Sequence, residues 1–332
     1  MLLEDLLIEE AGLGVLFVLA FANGANDVGK SVASLMPLGP EGRVSRRPLL
    51  WGGFFSSLGS VSAVLISGRL FSVFTPQSIL RSSFDSSFVL AVLVAATLWV
   101  LAATLVRLPV STTHAILGAI TLQGIFLFGV SSLAWDFLAI RVLLPLAGGP
   151  LAALVGIYLF ERLMKRPKVA GKEKPRWAEL SHWGSAAATA FARGVNDAPK
   201  MAVLGGFFLV ANSVEAVWVP YSIVAVAVLV GSLVLGHRVA LTLIGRAFPL
   251  DHGQRLRAGI ATAALVSAGA FLGAPLSTTH VGAGASAGVS GLRESMRSAL
   301  RGMVLPWLVT LPAAGLLAVA VAVIGPRLLA LV

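Results

Sequence analysis

The chain has no cysteine, two tyrosines and only 15 acidic residues among its 332. Without cysteine, disulfides and thiolate metal sites are excluded outright. Charged residues make up 12% of the chain, about half the ~25% of a soluble domain, which is too little to clothe a water-exposed surface. What is present instead is apolar, with 57% hydrophobic residues and a mean hydropathy of +0.90. The 35 glycines and 16 prolines are scattered through the apolar stretches, as in membrane helices, where neighbours re-satisfy freed backbone groups. This composition describes an all-α integral membrane protein. The formal net charge of +10 would suggest nucleic acid in a soluble chain. Here the basic residues fall between apolar spans, as the positive-inside rule expects, so no nucleic-acid partner is required. The first ten residues are acidic rather than basic, so no cleaved secretory signal is expected.

A bilayer-spanning helix needs roughly 20 mostly apolar residues. Candidate spans run at 11–36, 48–68, 86–106, 109–130, 137–160, 184–211, 219–236, 257–273, 275–292 and 302–325. The expectation is about 10–12 transmembrane segments, re-entrant hairpins included. The most basic connection, 161–180, sets Arg162, Lys165, Arg166, Lys168, Lys172, Lys174 and Arg176 against Glu161, Glu173 and Glu179. With Pro167 and Pro175 it reads as a cytoplasmic linker between a first half, 1–160, and a second half, 181–332. Arg43, Arg46 and Arg47 mark another cytoplasmic loop, Arg246, Arg255 and Arg257 a third, and Arg293, Arg297 and Arg301 a fourth. The acidic N-terminus and the segment around Glu215 fall on the opposite face. All four basic loops share one side if each half crosses an odd number of times. The second half then enters upside down, which is the inverted-repeat logic of secondary transporters.

The duplication is visible residue by residue. Phe21-Ala22-Asn23-Gly24-Ala25-Asn26-Asp27-Val28-Gly29-Lys30 returns as Phe191-Ala192-Arg193-Gly194-Val195-Asn196-Asp197-Ala198-Pro199-Lys200. Pro109-Val110-Ser111-Thr112-Thr113-His114 returns as Pro275-Leu276-Ser277-Thr278-Thr279-His280. Asp197 follows Asp27 by 170 residues and Ser277 follows Ser111 by 166. Two unrelated motifs in the same order at nearly one spacing establish a repeat.

A carboxylate at membrane depth costs roughly 2.5–3.5 kcal/mol on insertion scales, so Asp27 and Asp197 need a partner or a purpose. The glycines and asparagines around them favour an unwound backbone there. Broken helices expose carbonyls to cations, and the functional reading is a coupling-cation or substrate site of Asn26, Asp27, Asn196 and Asp197 with Asn23 nearby. The alternative is a pair of structural caps or interhelical ion pairs. Ser111, Thr112, Thr113 and Ser277, Thr278, Thr279 each follow a proline near a helix start, where hydroxyls and amides suit a tetrahedral oxyanion. A lone cluster could equally cap a helix; two related ones favour an anion site. His114 and His280 lie three residues after their serines. No G-x-S-x-G elbow supports a hydrolase, and no helical His-x-x-x-His spacing supports a metal, so hydrogen bonding within the hairpin is expected of them, with proton transfer a second role. Lys30 and Lys200 each fall on the face of their aspartate. They either form local ion pairs or tune the site by neutralising an anion or competing with a cation. Arg193, in place of Asn23, could clamp an oxyanion, but a cytoplasmic rim is the expected position. Arg141 is read as an anchor at a span end.

These four motif copies resemble the PiT family of inorganic phosphate transporters, whose hallmark is a duplicated G-A-N-D with a duplicated proline-preceded S-T-T-H. The resemblance touches both halves. It implies an inverted-repeat helical secondary transporter in which Ser111, Thr112, Thr113, Ser277, Thr278 and Thr279 sit on re-entrant hairpins and bind phosphate. It also implies cation coupling at Asp27 and Asp197, by sodium in some members and protons in others, with no other cofactor. The family includes a sulfate-transporting branch. Phosphate still carries a proton at neutral pH, and a carboxylate accepts H–O–P but repels an unprotonated sulfate oxygen, so two aspartates favour phosphate. Two departures stand out: Gly194-Val195-Asn196-Asp197 replaces G-A-N-D, and both copies carry lysine three residues on, where it could occupy or repel at a cation site. The short linker leaves no room for a regulatory domain. The expectation is therefore a sodium- or proton-coupled phosphate symporter of the cell (inner) membrane, multi-pass, with the lipid bilayer as partner and a homo-oligomer compatible. A sulfate permease, an intramembrane serine hydrolase using Ser111 or Ser277, and an anion channel are the alternatives.

Overall fold

The computed structural model describes residues 3–36, 45–164, 176–209, 214–246, 250, 252–290 and 308–325. Over these the chain is helical: α1 (Leu3–Val32), α2 (Arg47–Ile66), α3 (Gly68–Val73), α4 (Pro76–Ile79), α5 (Ser86–Leu105), α6 (Thr112–Phe128), α7 (Trp135–Phe137), α8 (Leu144–Met164), α9 (Arg176–Gly206), α10 (Val214–Arg246), α11 (His252–Leu272), α12 (Thr278–Ser290) and α13 (Leu308–Gly325). A π-helical segment, Leu138–Leu143, joins α7 to α8. Most of the linker read from the sequence, with the basic residues Lys165 to Lys174, lies outside the described residues, as do Arg43 and Arg293 to Arg301.

Seven of the described helices are long and apolar enough to cross a bilayer, against ten candidate spans. The difference lies in three elements. The helix α9 has the length, but Arg193, Asp197 and Lys200 interrupt its apolar character. The helices α6 and α12 have 17 and 13 residues, too short to span alone at 1.5 Å per residue. Both are arms of helical hairpins, α6 with α5 and α12 with α11. The chain before α5 and the chain after α6 are tied by a bridge between Leu80 and Leu133, with Arg81 N donating to Ser132 O at 2.7 Å. The pair therefore returns to the side it started from. In the second half Gln254 Nε2, at the start of α11, donates to Val289 O at the end of α12 at 2.9 Å. Each hairpin turns at a left-handed residue, Arg107 (φ 63°) and Gly273 (φ 76°), which are again 166 apart. Glycine adopts that conformation freely, whereas arginine is strained in it. Asp85 starts the first hairpin as N-cap of α5, accepting from Phe88 N at 3.0 Å. Burial alone would push its pKa up, but the hydrogen bonds from Ser87 and the Phe88 amide outweigh that and hold the carboxyl below its ordinary 3.8.

The expected break at the Asn-Asp motifs is not found: α1 and α9 run as continuous helices through Asp27 and Asp197. Tertiary packing overrides the local preference. The side chains of Asn23, Asn26 and Asn196 are spent on the hairpins rather than on their own backbone, and the glycines are used for close crossing. A methyl group on Gly24 would overlap the Val228 carbonyl of α10, and one on Gly231 of α10 would overlap the Phe21 carbonyl of α1. The second pair repeats this: Gly194 of α9 against the Ser56 carbonyl of α2, and Gly59 of α2 against the Phe191 carbonyl. Without a hydrophobic drive between helices in lipid, such backbone-to-backbone contacts supply the association. The same device seats the hairpins, with Gly118 of α6 against the Leu311 carbonyl of α13 and Gly284 of α12 against the Pro150 carbonyl of α8. Gly194→Val is expected to lower stability by about 1–3 kcal/mol, since the neighbour is backbone and cannot swing away. Thermal unfolding in detergent checks this, and an unchanged midpoint would show that the crossing is looser than described.

Candidate substrate site

The two hairpin turns bring both Ser-Thr-Thr clusters to one buried point. Ser111 is the N-cap of α6, its hydroxyl accepting from His114 N at 3.4 Å, and Ser277 does the same for His280 N at 3.4 Å. The two caps touch: Ser277 Oγ donates to Ser111 Oγ at 3.1 Å across the halves. Two helix N-termini therefore face one another, each with its unsatisfied amides and positive dipole end. His114 and His280 stand behind them with ring centroids 4.9 Å apart, and His280 Nδ1 is hydrogen-bonded to Ser277 Oγ. The expected hydrogen bonding of a histidine within its hairpin is thus observed for His280.

The Asn-Asp motifs fasten each hairpin to its own half. Asn23 Nδ2 donates to Thr112 Oγ1 at 2.9 Å and to Asp27 Oδ2 at 3.2 Å. Asn26 donates to Thr104 Oγ1 at 2.9 Å and Leu108 O at 3.0 Å, and accepts from Val110 N at 3.1 Å, so it knits the extended strand of the turn. In the second half Asn196 Nδ2 donates to Leu276 O at 3.0 Å and to Asp197 Oδ1 at 2.8 Å.

The lysines fasten the halves to each other. Lys30 Nζ is ion-paired with Asp27 and donates to Val110 O at 2.6 Å and to Thr279 Oγ1 of the other half at 2.8 Å. Lys200 Nζ meets Asp197 Oδ1 at 3.2 Å, Leu276 O at 3.1 Å and Thr113 Oγ1 of the other half at 2.7 Å, over the Phe74 ring. The Asp–Lys ion pair, one of the two readings of these residues, is present in both copies.

Arg193 is the residue that sequence reasoning misplaced. It is buried, not at a rim: its Nη1 donates to Thr278 Oγ1 at 2.8 Å and lies 3.8 Å from Asp27 Oδ2. The signal was the repeat alignment itself, because Asn23 makes the corresponding contact to Thr112. Two buried carboxylates, Asp27 and Asp197, supply the counter-charge that a rim would otherwise provide. Thr104 also escaped notice, since a lone threonine in an apolar span carries no pattern. Formally the cluster sets Lys30, Lys200 and Arg193 against Asp27 and Asp197, an excess of one positive charge. Three of its buried polar atoms, Arg193 Nε, Asn196 Oδ1 and Asp197 Oδ2, have no hydrogen-bond partner among the described residues. Unmet donors and acceptors of this kind are costly unless a ligand completes them.

A second basic feature lies at the turn of the second hairpin. A cavity of about 300 Å³ is lined by Arg69, Ser72, Ser78, Phe137, Arg141 and Gly273 among others. Arg141, expected as a membrane anchor, thus sits in the π segment and faces this cavity.

The fold and its buried polar centre define a multi-pass helical membrane protein. The sequence model of the phosphate transporter family matches residues 23–183 and again 161–318, and the chain belongs to that family. It is 30% identical over 318 residues to a probable low-affinity inorganic phosphate transporter of Mycobacterium bovis, covering 89% of this chain and 72% of the relative. It is 25% identical to a putative phosphate permease of Pyrococcus furiosus, covering 96% of each. Among solved structures, one described as the sodium-dependent phosphate transporter superposes with a TM-score of 0.75 at 21% identity, covering 96% of this chain and 99% of that one. The chain is accordingly a transporter and not an enzyme, so the Ser277–His280 pair is not read as a nucleophile with its base.

Proposed function

We propose that this protein carries inorganic phosphate across the bilayer by alternating access, as a symporter driven by a sodium or proton gradient. The observation that carries the reading is the meeting of Ser111 and Ser277 at 3.1 Å, which brings the N-caps of α6 and α12 together. Ser111, Thr112, Thr113, Ser277, Thr278 and Thr279 donate to the phosphate oxygens in this reading. Arg193, with its unmet Nε, adds the charge-assisted bonds. Displacing the Ser–Ser and lysine–threonine hydrogen bonds opens the space between the hairpins. Asn23, Asn26, Asp27, Asn196 and Asp197 form the coupling side, with Lys30, Lys200, His114 and His280 tuning it. The halves, 1–160 and 181–332, are read as inverted repeats, because their motifs make reciprocal contacts and each contributes one hairpin. The cell membrane is the expected location.

Phosphate is favoured over sulfate by the unpartnered Asp197 Oδ2, a ready acceptor for the P–OH proton that sulfate lacks. Purified protein in proteoliposomes is expected to accumulate radiolabelled phosphate under an imposed cation gradient. An about hundredfold excess of sulfate is expected to leave uptake nearly unchanged. No uptake under any gradient would remove the proposal, and equal competition by sulfate would move it to the sulfate branch.

A further inference from the structure

The two lysines are not held alike by accident of the helix. Each ammonium is met by one aspartate oxygen, one main-chain carbonyl and one threonine hydroxyl: Asp27, Val110 and Thr279 for Lys30, and Asp197, Leu276 and Thr113 for Lys200. In each set the carbonyl comes from the hairpin of the lysine's own half and the hydroxyl from the hairpin of the other. Carboxylate, carbonyl and hydroxyl oxygens converging from separate elements are the donor set of a hard monovalent or divalent cation, and unwound carbonyls at such a place are where transporters hold their coupling ion.

We propose that Lys30 and Lys200 are tethered cations, standing in the two positions a coupling sodium ion would occupy, so that phosphate uptake by this chain is independent of sodium. The inference rests on the symport reading above and chooses between its two driving ions. Its physical basis is exclusion. A sodium ion sharing these oxygens would lie within about 4 Å of an ammonium, and at the effective dielectric of a protein interior that repulsion weakens binding on the order of a thousandfold. The ammonium also cannot be washed away, because its side chain anchors it: Lys200 is 1% exposed and Lys30 has 5% of its side chain exposed. A purely structural staple would account for the same hydrogen bonds. It predicts that removing the ammonium only weakens the protein, whereas a tethered cation leaves behind three oxygens that a free cation can take up.

Two measurements separate these. The first is uptake of radiolabelled phosphate into proteoliposomes at fixed pH, with sodium replaced by N-methyl-D-glucamine. Wild-type uptake is expected to change by less than about twofold, and a tenfold or greater loss would overturn the proposal. The second is equilibrium binding of radioactive sodium to purified protein in detergent. Wild type is expected to show no saturable binding at millimolar sodium, while Lys30→Ala gains a site and its thermal midpoint rises with sodium but not with N-methyl-D-glucamine. Saturable sodium binding by wild type overturns the proposal. So does a folded Lys30→Ala and a folded Lys200→Ala that both ignore sodium. If neither variant folds, the wild-type binding result decides. Should wild type carry no phosphate under any gradient, the transport reading fails, and the binding measurement still decides this one.

Discussion

Asp197→Asn is expected to abolish phosphate uptake and to lower stability by about 3–5 kcal/mol, the range for breaking a buried ion pair by removing one partner. The carboxylate is the only acid in contact with Lys200 among the described residues, and the ammonium is almost wholly buried. Losing the charge therefore leaves a buried cation without its counter-ion. A second substitution tests that cause directly. Asp197→Asn combined with Lys200→Met removes both charges, and replacing a whole buried pair with apolar groups is often neutral. The double variant is expected to recover most of the lost stability and none of the transport. Thermal unfolding in detergent reads the first quantity and proteoliposome uptake the second. If the single variant is as stable as wild type, Lys200 is compensated by another group; if the double variant transports, the pair is scaffolding.

Arg193→Gln is expected to reduce uptake about a hundredfold or more in Vmax/KM. That follows if the guanidinium makes two charge-assisted hydrogen bonds to the oxyanion, each worth about 1.5–3 kcal/mol. Arg193→Lys restores only part of the loss, because an ammonium cannot present the planar fork. Arg193→Asn is the informative control: it reproduces Asn23 of the first half and makes the site symmetric, keeping a donor for Thr278 while removing the charge. Uptake within a few-fold of wild type in all three variants would assign Arg193 to holding Thr278 beside Asp27 and nothing more.

Much of this site was legible because it is written twice. The doubled Asn-Asp and Ser-Thr-Thr-His motifs pointed to convergence, and Ser111 meets Ser277 as that reading required. What was not legible follows from forces outside any local window. Local preference argued for a break at Gly24 and Asn26, but α10 crosses so closely at Gly24 that the helix is held straight there. Hydropathy gave 109–130 as a candidate span, because an apolar arm reads alike whether it crosses or turns back. The pairing of Leu80 with Leu133 shows that α5 and α6 close into a hairpin. Arg193 was expected at a rim; the cost of burying its charge is offset by the nearby Asp27 only once α1 and α9 are brought together. The lysines were seen as a pair, yet their third contacts, to threonines about 249 and 87 residues away along the chain, are beyond any spacing rule.

The close crossings have a mechanical consequence. The first helix of each half is locked to the second helix of the other, α1 on α10 and α9 on α2, and each hairpin helix is seated on the last helix of the opposite half, α6 on α13 and α12 on α8. The duplicated halves are thus clasped like interlaced fingers and cannot rock apart as two blocks. A chain cut at the linker would yield two fragments that have no complete interior until they find each other. The unit that was copied and the unit that packs are different objects: α1, α2, α9 and α10 clasp into a frame drawn from both halves, and each hairpin rests on a helix that the other half supplies.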